Sequence, residues 1–377
     1  MEARPPFDVR AFGAAGDGRT KDTAAVQRAV DAAAAAGGGE VLLPAGTYLS
    51  GSVRLRSGVD LHLAAGAVLR ASPDPADYNP DDVAPQNAPS THDIDGASGA
   101  HFLLCVGEER VSIRGPGRIE GGAPAFIRRA DGSYPESRFD IPWRPSQMVW
   151  IVESRRVALR DLELADAPYW SCFLYGCEDV VADGLRIRTI RSPHTHNGDG
   201  LDIDSCRRVR VRNCRIDTAD DALTLRAAPE RLLRPGDCAD VVVEDCELSS
   251  DCNAIRIGVG NGTIRDCAFR RVRIRNTRHA VNAVGAWARP EPGVRVSRVS
   301  FEDLDLETRG CFCKFYYKFA TESVFEDVSF RRVRGSVGEP SIFDDTPDRP
   351  FLRLVFEDVR LAGETSPRVV GAPGAFA

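Results

Sequence analysis

The chain has 377 residues, 43% of them hydrophobic and 28% charged, with a formal net charge of −6. That balance suits a folded globular protein, and no apolar run of about 18 residues is present to cross a bilayer, so no membrane partner is expected. The 49 Lys and Arg residues form no basic block, which argues against a nucleic-acid partner because phosphate binding needs concentrated cations.

Taken in chain order, Met1 to Pro6 runs straight into Phe7-Asp8-Val9 with no hydrophobic signal core, which gives the expectation of a cytoplasmic location. Residues 1–50 read as an N-terminal cap and first coil. Within them Thr23 to Ala36 is a predicted helix, with Asp22 or Thr23 as N-cap, Val26, Ala29, Val30 and Ala33 on one face, and Gly37-Gly38-Gly39 ending it. Residues 73–99 and 121–145, rich in Pro, Asp and Gly, are expected to be long excursions that narrow or close a groove.

From residue 157 a phrase recurs: apolar, any, apolar, any, then Asn, Asp or Gly, a small or apolar residue, any, apolar. Its anchors include Asp161, Gly184, Asn213, Asp245, Asp303 and Asp358, 23 to 32 residues apart where copies are adjacent. Period-two alternation marks short strands with one buried face, and Asn or Asp suits the bend between them. Leucine-rich repeats share the period but carry a denser leucine pattern and a helical arm. The expectation is therefore an all-β, single-stranded right-handed parallel β-helix, one domain over 1–377, with coils about 4.8 Å apart and a tail at 362–377. Eleven cysteines, several inside the repeats, read as buried free thiols rather than disulfides or a zinc site. Lateral pairing of β-helix sides leaves a homo-oligomer open.

Two phrases carry chemistry: Asn197-Gly198-Asp199-Gly200-Leu201-Asp202, and Asp220-Asp221 beginning 21 residues after Asp199. If Leu201-Asp202-Ile203, Leu223-Thr224-Leu225 and Ile255-Arg256-Ile257 are equivalent strands, Asp199, Asp221 and Asn253 form one column. Asp220 then sits one residue before it, and Asp202, Thr224 and Arg256 form a second, outward column beside Asp204 and Arg226. Stacked carboxylates raise one another's pKa, which suits acid/base cleavage of a glycosidic bond. No metal and no cofactor is called for.

Phe12-Gly13-Ala14-Ala15-Gly16-Asp17-Gly18, Asp22-Thr23, Gly38-Gly39-Glu40-Val41 and Pro44-Ala45-Gly46-Thr47-Tyr48 resemble the opening of pectin-degrading β-helix proteins. The Asp199 phrase and Ala219-Asp220-Asp221-Ala222-Leu223-Thr224-Leu225-Arg226 resemble the two carboxylate motifs of glycoside hydrolase family 28, the polygalacturonases. The likeness runs over roughly residues 7 to 360. It implies that Asp220 is the general acid while Asp199 and Asp221 activate the attacking water, with inversion and a carbohydrate substrate. Asn197 belongs to the same motif and is a candidate substrate contact.

The departures are equally specific. The family's Gly-His-Gly phrase is Cys252-Asn253-Ala254 here, and its later Arg-Ile-Lys clamp corresponds to Asn282-Ala283-Val284. Arg226 and Arg256 offer a replacement carboxylate clamp, or else are ion-pair partners of Asp202 and Asp204. His194 and His196 precede the motif, and His279 lies near the lost clamp. Tyr169, Trp170, Trp287, Tyr316 and Tyr317 offer aromatic faces, and Phe315 to Lys318 reads as an exposed rim. The expected activity is hydrolysis of a pectin-like glycan, compatible with exo action. The rivals are a lyase with an arginine base and calcium, a transferase or epimerase, and a non-catalytic glycan-binding solenoid.

Overall fold

The computed structural model describes residues 5–87, 97–129, 131–134, 140–190, 197–320, 322–344, 351–363 and 368–370. Side chains of 287–291, 318–320 and 368–370 are not among those described. His194 and His196, the centre of the first excursion and the last residues of the tail lie outside this set.

The strands form one continuous parallel array in which each pairs with its counterpart one coil earlier and one coil later. Three ladders run the length of the molecule. One passes through Glu109–Arg114, Arg155–Arg160, Glu178–Asp183, Arg207–Arg212 and Cys238–Glu244. A second passes through Arg118–Glu120, Glu163–Ala165, Arg186–Arg188, Arg215–Thr218 and Glu247–Ser250. The third passes through Leu103–Val106, Val149–Val152, Cys172–Tyr175, Leu201–Asp204, Leu223–Ala227 and Asn253–Gly260. Parallel crossovers of this kind are right-handed, and the chain is a right-handed parallel β-helix.

The repeat anchors sit at the corner between the first two ladders. Asp161, Asn213, Asp245, Asp303 and Asp358 all take φ between 52° and 57°, and Gly184 takes 70°. Gly, Asn and Asp visit this left-handed region most readily and made the repeat visible, while Arg271 and Arg332 take the same corner at 52° and 55° in the intervening coils. Inward positions fill the bore with Val, Leu, Ile, Cys and a stack of Phe269, Phe301, Phe330 and Phe356 whose centroids are 4.8, 4.6 and 5.1 Å apart. All eleven cysteines are free, and ten are buried.

The exterior arginines form ladders with aspartates one coil away. Arg208 pairs with Asp179 at 2.6 Å, Arg271 with Asp245 at 2.7 Å and Arg332 with Asp303 at 2.6 Å. The helix spans Thr23–Ala35 and buries Val26, Ala29, Val30 and Ala33 over the first coil. Asp22 is the N-cap, one of the two residues expected there, and its carbonyl accepts from the Val26 amide at 2.9 Å. Its carboxylate does not cap the helix and instead accepts from the Ala15 and Gly16 amides at 2.7 and 3.0 Å. The tail assigned to 362–377 contains a further strand, Arg368–Val370, paired to Ile342–Asp344.

Candidate active site

The third ladder builds the site. Leu201, Leu223, Ile255 and Val281 are in register and point into the bore, so the flanking residues are forced outward. Just before these strands, the Gly200 amide donates to the Asp221 carbonyl and the Ala222 amide to the Asn253 carbonyl, each at 2.9 Å. Asp199, Asp221 and Asn253 therefore form one column, and His279 continues it opposite Asn253. Gly200 is required here by close approach: a Cβ would lie 2.4 Å from the Ala222 carbonyl oxygen. The second column runs Asp202, Thr224, Arg256, Asn282 and Lys314.

Asp220 sits beside the first column and is half-buried. Its carbonyl accepts from the Thr218 and Ser250 hydroxyls at 2.7 and 2.6 Å, which fixes the backbone that aims its side chain. Ligating atoms of Asp220, Asp221 and Cys252 all fall within 4.8 Å of one another. Burial, and then Asp220 and Asp221, push the Cys252 thiol upward, so it is a protonated neighbour of Asp220.

Arg256 closes the trio from below, 93% buried, with Nε 2.5 Å from Asp221 Oδ2 and a terminal nitrogen 3.7 Å from Asp199 Oδ2. Burial opposes its charge, but Asp221, Asp199, Asp202 and Asp220 together hold the guanidinium above its ordinary value. The second oxygen of Asp221 accepts from Asn253 Nδ2 at 2.5 Å. Asn253 Oδ1 in turn lies 2.9 Å from both His279 Nδ1 and Asn282 Nδ2. A carboxylate only accepts, so the amide of Asn253 must face it, and His279 must carry its proton on Nδ1. Burial, then Lys314 and Arg278, lower His279 to about 4, leaving it neutral.

Asp199 is the group most out of its ordinary range. Burial and then Asp202, Asp220 and Asp221 raise it well above the usual carboxylate value, with Arg256 opposing. Its Oδ1 is buried and has no hydrogen-bond partner among the described residues. Burial lifts Asp202 to about 6 against the pull of Arg226, the Thr224 hydroxyl and Arg256. Asp204 is raised by burial and opposed by Arg226, whose Nε is 3.4 Å away and whose guanidinium lies 4.8 Å over the Trp170 ring.

The structure resolves the two alternatives for the arginines. Arg226 pairs with Asp204 as one of them required, while Arg256 pairs with Asp221 and Asp199 rather than Asp202. Asn197 donates to the Tyr169 hydroxyl at 3.2 Å, at the edge of the trio. Tyr317 is a correction: it is 1% exposed, stacked on Phe351 at 5.2 Å inside the bore. Period-two phasing sends Cys313, Phe315 and Tyr317 inward, so Lys314 and Tyr316 are the residues this strand presents to the groove. The apolar, aromatic spelling of the segment concealed that phase. The Cys252 contact has no signal in the sequence, whereas the His279–Asn253 pairing does: the column through Asp199, Asp221 and Asn253 reaches His279 one coil on.

Upstream of the Asp202 row the same sheet is roofed over. Leu104, Trp150 and Phe173 occupy the outward column, and none is more than 8% exposed. They pack with Tyr169, Trp170 and Tyr175 beneath Val83, Ala84 and Ala97 of the first excursion and Leu232 of a later loop. Gln86 ties that excursion to Glu153.

The fold and the site define a class: a parallel β-helix with a row of carboxylates at the closed end of a groove. The chain matches the model for glycosyl hydrolases family 28 over residues 101–233 and that for rhamnogalacturonase A/epimerase, pectate lyase-like, over residues 7–70. It is 29% identical over 223 residues to a probable polygalacturonase of Vitis vinifera, covering 57% of this chain and 43% of that protein. It is 24% identical over 312 residues to an endo-polygalacturonase of Pectobacterium parmentieri, covering 72% and 75%. An exopolygalacturonase from Thermotoga maritima superposes with a TM-score of 0.68 at 20% identity, covering 96% of this chain and 94% of that one. Over residues 101–233 the chain is thus similar to glycoside hydrolase family 28, and it spans less than half the length of the first two curated relatives it matches, a probable polygalacturonase and an exo-poly-alpha-D-galacturonosidase.

Proposed function

We propose that this protein hydrolyses a glycosidic bond in a galacturonate-containing, pectin-like glycan by acid/base catalysis. The observation that carries the reading is the convergence of Asp199, Asp220 and Asp221, from two coils, at one groove wall. Both oxygens of Asp221 are engaged, by Arg256 and Asn253, which makes it an orienting carboxylate and a poor nucleophile. Asp199 Oδ1 is the open acceptor, suited to hold the attacking water. Catalysis then needs the proton that the crowded cluster retains to sit on Asp220, facing the leaving oxygen, with Asp199 ionised. The closest oxygens of Asp220 and Asp221 lie within 4.8 Å, shorter than the roughly 6.5–9.5 Å gap of a typical inverting pair. The water of an inverting step must therefore lie between Asp220 and Asp199, and the anomer of the product tests this.

The roofed face upstream of Asp202 supports exo action, since a chain entering the groove can extend only toward the Asn282 and Lys314 rows. A lyase base at Arg256 fits poorly, because four carboxylates hold that guanidinium charged. Incubation with trigalacturonate is expected to give new reducing ends, released as monosaccharide first, without an ultraviolet-absorbing unsaturated product. Unsaturated product, or oligosaccharide bound and left intact, would overturn the reading. Eleven free thiols support a reducing, cytoplasmic setting, which fractionation of the native cells tests.

A further inference from the structure

The open end of the groove contains a cation with different surroundings from the other two. Arg226 is spent on Asp204, and Arg256 on Asp221 and Asp199. Lys314, in register with Asn282 and through it with Arg256, has no carboxylate within 4 Å among the described residues. Its ammonium lies 4.6 Å from the centroid of the Tyr316 ring, a contact that holds the side chain in place without neutralising it. At a spacing of about 4.8 Å per coil, its row lies roughly 10 Å beyond that of Arg256.

Asn282 lies one coil nearer the trio and is 4% exposed. Its Nδ2 is fixed by donation to Asn253 Oδ1, and its Oδ1 is left buried with no hydrogen-bond partner among the described residues. An unmet buried acceptor costs about 1–3 kcal/mol unless something supplies a donor. A sugar hydroxyl is such a donor. The phenol of Tyr316, itself pushed up by burial, stands beside Asn282.

We propose that Lys314, Asn282 and Tyr316 form a subsite that reads the carboxylate of a uronate residue three coils from the row of the acid Asp220. Lys314 supplies the charge, Asn282 Oδ1 accepts a ring hydroxyl, and Tyr316 fixes the lysine and offers its edge to the sugar. The inference rests on the glycan-cleaving reading of the groove, and it deepens that reading by placing acid recognition one coil beyond Asn282-Ala283-Val284. None of these three residues takes part in the chemistry at Asp199, Asp220 and Asp221.

The test is calorimetric titration of the full chain carrying Asp220→Asn with trigalacturonate and with its fully methyl-esterified form, each in the presence and absence of Lys314→Met. A charge-assisted hydrogen bond of about 1.5–3 kcal/mol predicts that Lys314→Met weakens trigalacturonate binding roughly tenfold to a hundredfold. The methyl ester should lose little, and Lys314→Arg should restore most of the affinity. Equal loss on both ligands, no loss on the acid, or no binding of either ligand would overturn the subsite. Lys314-dependent preference for the acid, in a protein whose unmutated form cuts neither ligand, would sink the hydrolase reading and leave the subsite standing. Trigalacturonate cleavage with a KM indifferent to Lys314→Met would do the reverse.

Discussion

The exterior corner and the groove use the same two residue types to opposite ends. At the corner, Arg271 and Arg332 hold Asp245 and Asp303 below the usual carboxylate value, because solvent leaves the charges cheap and the bidentate arginines favour the ionised form. In the groove, Asp199, Asp202 and Asp204 are raised, chiefly by burial, although Arg256 and Arg226 are near. Pairing with arginine does not by itself decide protonation; desolvation does, once several carboxylates crowd a single cation. Structural aspartates and chemical ones are thus separated by where the coil puts them, with the repeat supplying both.

The largest effect that separates the two regions is kinetic. Asp220→Asn is expected to lower kcat by about 10²–10⁴-fold with little change in melting temperature, whereas Asp303→Asn should leave kcat untouched. Steady-state rates on trigalacturonate measure both. Next comes Arg256→Met, which strands Asp199 and Asp221 in a buried site and should destabilise the fold by about 3 kcal/mol at neutral pH, and by less at pH 5, where the cluster takes up protons. Chemical denaturation at the two pH values checks this; equal loss at both would mean that the buried charges are not the cause.

A smaller effect belongs to His279. His279→Ala removes one of the two donors that hold Asn253 Oδ1 and loosens the amide, with an expected stability loss of about 1 kcal/mol and a several-fold fall in kcat at unchanged KM. His279→Gln, whose amide can still donate to Asn253 Oδ1, should recover most of the rate. Recovery distinguishes orientation of Asp221 from simple packing.

The smallest effects are in pH dependence. Asp199 and Asp202 are raised in the fold, so the stability they confer is present below the ordinary value of 3.8 and is lost as pH climbs through their raised values, about 6 for Asp202. Asp266 is lowered to about 2 by Arg298, so its contribution is present above 3.8 and is lost as pH falls through about 2. The melting temperature should therefore peak near pH 4 and decline as pH rises through about 6. Asp199→Asn should raise stability at pH 7 by on the order of 1 kcal/mol while abolishing turnover, the trade expected of a strained functional site. A melting curve that rises steadily to pH 8 would show that the groove carboxylates are ordinary ones.

Much of this was legible in the sequence because most copies of the left-handed corner carry Asp, Asn or Gly: Asp161, Asn213, Asp245, Asp303 and Asp358 announce the coil, and counting from them aligns Asp199 with Asp221 and Asn253. The coils cornered by Arg271 and Arg332 are the ones the phrase leaves out. What stayed hidden depended on three-dimensional surroundings. Period-two phase is ambiguous where both faces are aromatic, so the sequence offers Tyr316 and Tyr317 alike and only the fold turns Tyr317 into the bore. The partner of Arg256 could not be read from register alone, since its long side chain reaches sideways to Asp221 and Asp199 rather than to Asp202 in its own column. Roofing of Trp150 and Phe173 depends on where the excursion folds back, and a Pro- and Gly-rich segment does not encode its landing point.

The most direct test of the central claim, that coil stacking turns three distant aspartates into one acid/base device, is NMR observation of the anomeric proton released from trigalacturonate in the first minutes of reaction. The account predicts a product of inverted configuration, formed as monosaccharide from one end and absent with Asp220→Asn. A product of retained configuration, or undiminished turnover in the Asp220→Asn protein, would contradict it.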